Sequence, residues 1–76
     1  MDLTEAAPLI KSLLRQIEGN EYKSLATFDT LKPLLTNTPP HIVEMMRFIE
    51  NEIDRLDYKK AHTSLLNMAK ALGIKE

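Results

Sequence analysis

Apolar residues return every three or four positions along most of the chain, and that spacing constrains the fold more than any other feature. Leu9, Ile10, Leu13, Leu14 and Ile17 form the first such stripe, and Tyr22, Leu25, Phe28, Leu31, Leu34 and Leu35 the second. Ile42, Met45, Met46, Ile49, Ile53 and Leu56 form the third, with Val43 and Phe48 at its margins. Tyr58, Ala61, His62, Leu65, Met68, Ala69 and Leu72 form the fourth. Each stripe is one face of an amphipathic helix.

The breaks between stripes carry helix-ending chemistry. Pro8 suits a first helical turn, where a missing N–H costs nothing. Gly19 is expected to take the left-handed conformation that closes a helix. Asn20 is expected to cap the next helix, with Glu21 favourably placed in its first turn. Pro33 falls inside the second stripe, so that helix should kink or keep only a loose final turn after Lys32. In "TNTPPHIV", Thr38 is the expected cap, and Pro39 and Pro40 belong to the first turn of the third helix. Asp57 is the expected cap of the fourth helix, and Gly73 its left-handed end. The helices are therefore expected at about 6–18, 20–35, 39–56 and 57–72. Links this short make consecutive helices antiparallel. The expected fold class is all-α, an antiparallel four-helix bundle, as one domain over residues 1–76. Its expected core is Leu9, Leu13, Ile17, Leu25, Phe28, Leu31, Met45, Ile49, Ile53, Leu65, Met68 and Leu72.

Composition narrows the function. The chain has 76 residues and no cysteine, which removes disulfides, thiolate metal sites and cysteine nucleophiles. A small domain without disulfides is expected in the cytoplasm. Ten basic and 11 acidic residues leave a net charge of -1 and no basic footprint for nucleic acid. No apolar run approaches the roughly 18 residues of a membrane span. "MDLTEAAPLIK" has no basic stretch ahead of an apolar one, so no signal peptide is expected. Two glycines rule out a glycine-rich phosphate loop.

His62 is the main candidate for chemistry. In mid-helix it could accept a phosphoryl group, with Lys59 and Lys60 supplying positive charge. Its helical neighbours Tyr58, Leu65 and Leu66 instead favour packing at the edge of the core stripe. His41 reads as a surface residue in a capped first turn. No histidine spacing suits a metal, so no metal and no cofactor is expected. The charged residues of the third helix read as a solvated face, with pairs such as Glu44 and Arg47. Ser12, Ser24, Ser64 and Thr63 have no base set up by spacing, so no catalytic triad can be assigned. Met45 and Met46 are expected as core filler, or as the lining of a groove for a partner helix.

The segments "PLIKSLLRQIEGNEYKSLATFDTLKPLL" and "IENEIDRLDYKKAHTSLLNMAKALGI", separated by the proline-marked break, carry a resemblance. Together they resemble the small helical domain at the C-terminal end of hybrid sensor histidine kinases and related response-regulator proteins, a shortened relative of the histidine phosphotransfer bundle. The resemblance spans about Pro8 to Ile74. In that family the histidine is followed by a variable residue, then leucine, lysine and glycine. Here Ala61 and His62 match, but Ser64, Leu65 and Leu66 occupy the following stretch, and Gly73 lies at a different spacing. The resemblance thus implies the scaffold and a receiver or kinase domain as protein partner, and it implies docking more than catalysis. An active phosphotransfer domain using His62 is the alternative, and an unrelated helical adaptor a third.

Overall fold

The computed structural model describes residues 3–74, and among them every regular element is a helix. Helix α1 spans Ala6–Glu18, α2 Lys23–Leu31, α3 Pro40–Asp54 and α4 Tyr58–Ala71. A 3-10 turn, Lys32–Leu35, extends α2. The truncation of α2 follows from Pro33. Its nitrogen has no proton to donate, and its ring collides with the carbonyl four residues back. The tighter 3-10 turn carries the chain past the proline and still buries Leu35.

Three helices end the same way. Asn20 is left-handed at φ 54°, and its N–H and that of Glu21 return to the carbonyls of Ile17 and Gln16 at 3.0 and 2.9 Å. Leu56, at φ 60°, repeats this with Asp57, their N–H groups reaching Ile53 and Glu52 at 2.9 and 2.8 Å. Gly73, at φ 78°, repeats it with Ile74 at the end of α4. Paired return bonds of this kind satisfy carbonyls that a helix end leaves open. They correct three expectations. Gly19 has φ -84° and is not the left-handed residue. Asn20 takes that role instead of capping α2, because its short polar side chain tolerates the left-handed region. Leu56, expected on the third stripe, lies beyond α3 and is half exposed for the same reason.

The helix starts differ too. Asp57 does cap α4, its Oδ1 accepting from the Lys60 N–H at 3.3 Å. Thr38 does not cap α3. Its hydroxyl donates back to the Leu35 carbonyl at 2.7 Å, and Pro39, extended at ψ 155°, precedes Pro40 in the first turn. Tyr22, expected on the second stripe, stands before α2 and is 70% exposed.

Helix α1 packs on α2 and α4, and α3 packs chiefly on α4 with lighter contact to α2 and the 3-10 turn. The buried side chains form one continuous cluster, including Ile10, Leu13, Ile17, Phe28, Leu31, Ile42, Ile49, Ile53, Leu65 and Met68. Leu72 belongs to it as well. Each large side chain fully buried there stabilises by about 1.5–3 kcal/mol relative to exposure. Of the expected core, Leu9, Leu25 and Met45 are only partly buried and lie against this cluster. The radius of gyration is 11.0 Å, as compact as folded chains of this length become.

Candidate functional site

His62 projects from the second turn of α4 toward α1, the helix packed beside it. Its Nε2 lies 3.2 Å from Glu18 Oε1. This contact is an ion pair only while the imidazole is protonated. The His62 side chain is 27% exposed, so the ring is neither sealed in the core nor free in solvent.

Two open depressions beside α1 and α4 share His62 and Glu18 in their linings. Lys11, Leu14, Arg15, Glu18 and His62 line one of about 230 Å³. Ile17, Asn20, Tyr58, Lys59 and Thr63, with Glu18 and His62, line the other, of about 390 Å³. The first volume lies below the roughly 300–1,000 Å³ range of small-molecule sites and the second near its lower end. The cleft therefore suits a surface contact better than an enclosed ligand.

Its rim is positive. Lys11, Arg15 and Lys59 are exposed, and none forms an ion pair among the described residues. Glu18 is the one carboxylate among the residues lining either depression. Of the two lysines expected to assist His62, Lys59 shares its cleft. Lys60 points elsewhere and pairs with Asp57 at 3.9 Å. Lys11 and Arg15 were not foreseen. The signal was present, two basic residues one turn apart beside the first stripe. Which helix lies against His62 is a tertiary fact that spacing does not carry.

A second polar cluster joins the end of α2 to α3. The Lys32 ammonium hydrogen-bonds the Glu50 carboxylate, lies 3.6 Å from Asp29 Oδ1 and stands 5.8 Å from the Phe28 ring centre. The hydrogen bond to Glu50 raises the Lys32 pKa above the ordinary lysine value; desolvation works against it, and the charges of Glu50 and Asp29 add to the rise. Beside this cluster Leu35, Val43 and Met46 floor a shallow groove rimmed by Lys32, Arg47 and Glu50. Met46 lines this groove and Met45 does not, so the two do not line it together.

The remaining candidates are apart from His62. His41 is exposed in the first turn of α3. Glu44 and Arg47 do not form the expected pair within ion-pair distance. Thr63 donates to the Lys59 carbonyl at 3.4 Å, a bond within its own helix. Ser24 is fully buried with no partner for its hydroxyl. Among the described residues no cluster of three or more His, Asp or Glu could hold a metal ion, and no helix is long and apolar enough to cross a membrane. The His62 imidazole lines both depressions, and a carboxylate already stands at its Nε2. Comparison of the chain with protein-family models, curated proteins and solved structures finds no match.

Proposed function

We propose that the chain is an antiparallel four-helix bundle that acts as a protein-interaction module of a cytoplasmic phosphorelay, docking a receiver or kinase domain on its α1–α4 face without accepting a phosphoryl group. The observation that carries this reading is the Glu18 carboxylate 3.2 Å from His62 Nε2. A phosphoryl acceptor needs a free nucleophilic nitrogen and cations for an incoming anion. Here an anion stands at that nitrogen, and like charges at such range repel. The rim of Lys11, Arg15 and Lys59 supplies complementarity for an acidic partner surface, which governs encounter rate and specificity. The resemblance supplies the class of partner.

The test is to titrate the isotope-labelled chain with isolated receiver and kinase domains, some receivers carrying an aspartyl phosphate. The expected result is salt-sensitive shifting of amide signals around Lys11, Arg15, Lys59 and His62, weakened about tenfold by Arg15→Glu, with no phosphohistidine formed. Unmoved spectra with every such domain refute the reading. A second reading, active phosphotransfer through His62, is favoured by the partly exposed ring among three cations that are unpaired among the described residues. Phosphohistidine that His62→Gln abolishes establishes it instead.

A further inference from the structure

The outer face of α3 is not accounted for by the docking reading. It bears Glu44, Arg47, Phe48, Asn51, Asp54 and Arg55, and all of them are exposed. Their spacing of three and four residues places them on one stripe, opposite buried Ile42, Met46, Ile49 and Ile53. Phe48 stands in the middle of it, 59% exposed. A phenylalanine on a solvated helix face contributes nothing to this chain's own core. The four charges around it are also idle, since none is ion-paired among the described residues.

We propose that this face is the interface of a symmetric dimer, with α3 of one chain antiparallel to α3 of a second copy. The argument is the order of the charges. Read along α3 they run negative, positive, negative, positive at Glu44, Arg47, Asp54 and Arg55. A twofold axis near Glu50 reverses one copy against the other. Glu44 then meets Arg55 of the other copy, and Arg47 meets Asp54, and symmetry repeats both pairs. A parallel arrangement would set each charge on its like. At 1.5 Å of rise per residue, each pair is matched in level to within about 2 Å. The same axis sets the Phe48 rings about 6 Å apart along the helices, within reach of aromatic contact. It also brings Val43 and Leu56, two further exposed apolar residues, to the same level at each end of the face. An interface in which one patch meets its own copy must be self-complementary in this way.

The face is small. From Glu44 to Arg55 it extends about 17 Å, so one helix pair buries less than a standard interface and the dimer is weak, with a dissociation constant on the order of 100 μM. Equilibrium sedimentation of the full 76-residue chain, taken to about 1 mM so as to bracket that value, measures it. Because the altered residues are exposed, the variants keep the fold, which circular dichroism checks. The expected results are a monomer–dimer equilibrium weakened about tenfold or more by Phe48→Ala, and weakened similarly by Glu44→Arg or Arg55→Glu alone. The double variant Glu44→Arg/Arg55→Glu restores the pairing in swapped form, so its dissociation constant returns to within about threefold of the starting value. A chain that stays monomeric over the whole range overturns the proposal and leaves the face to a different protein. So does a dimer indifferent to Phe48→Ala, or a double variant no tighter than the single ones. The docking reading rests on the α1–α4 face and survives any of these failures.

Discussion

The two consecutive helix pairs, α1–α2 and α3–α4, turn by the same backbone device but are held in different ways. Between α3 and α4, Asp57 ends one helix and starts the next. Its N–H returns to the Glu52 carbonyl, its side chain accepts from the Lys60 N–H, and its carbonyl accepts from Ala61. Between α1 and α2, Glu21 makes the equivalent return bond to Gln16, but no side chain caps α2. Helix α2 then has nine residues before Lys32, and Pro33 denies it further α-helical turns. A helix that short and uncapped is unstable by itself. Burial of Phe28, Leu31 and Leu35 therefore holds it in place. The α3–α4 turn is specified locally, whereas α2 exists because the rest of the molecule gives it a surface to cover.

The largest effects test that division at the core. Leu13→Ala, Leu31→Ala, Ile49→Ala and Leu65→Ala remove side chains that are 0% exposed and should each cost about 2–5 kcal/mol in denaturant unfolding. Hydrogen exchange sharpens the comparison. In Leu31→Ala, α2 and the 3-10 turn should lose protection at lower free energy than α3 and α4, as a separable unit does. Equal loss in all four helices would mean that the two helix pairs unfold as one unit, and the contrast would break.

Next in size is the cap. Asp57→Ala should destabilise by about 1 kcal/mol, while Glu21→Ala, at the uncapped start of α2, should be close to neutral in the same thermal melts. A cost at Glu21 equal to that at Asp57 would show that the first turn has a capping interaction of its own. Smaller again is the left-handed position. Leu56→Gly relieves a side chain held at φ 60° and should gain up to about 1 kcal/mol. Asn20→Gly should gain only a few tenths of that, since asparagine tolerates the region. If Leu56→Gly instead destabilises, Leu56 makes a contact that repays its strain, and the dimer interface at that end of α3 is where to look for it.

The sequence showed what rests on periodicity and on local capping. The all-helical class, the break at the paired prolines, the cap at Asp57 and the left-handed Gly73 were each legible, because each depends on a few adjacent residues. The errors share a cause. Asn20 took the left-handed role expected of Gly19 because two adjacent residues could both end α1, and spacing does not choose between them. Leu56 and Tyr22 read as stripe residues because apolar spacing continues across a turn, although the helix does not. Of the candidate site, the histidine and Lys59 were visible in α4. Glu18, Lys11 and Arg15 come from α1, and only packing brings them to His62. The idle hydroxyl of Ser24 was equally hidden, since nothing in its spacing distinguishes a buried serine from a solvated one.

The Lys32–Glu50 bond offers the finest test of how α2 is held, because it ties the loosely specified end of α2 to α3. The Lys32 pKa is raised, first by that hydrogen bond. A cation whose folded pKa lies above its unfolded value contributes stability that is fully present below the unfolded value and is lost as pH rises through the folded one. The stability difference between the natural chain and Lys32→Gln should therefore be constant from neutral pH to the ordinary lysine range, then shrink above it. The effect should be small, since the pair is close to half exposed and solvent and salt screen such contacts. Glu50→Gln should remove most of the same alkaline dependence and leave the smaller share that Asp29 supplies, and added salt should flatten it in the natural chain. A difference that persists unchanged into strongly alkaline solution would assign the role of Lys32 to its methylene chain rather than to its charge. In that case α2 is held by apolar contact alone.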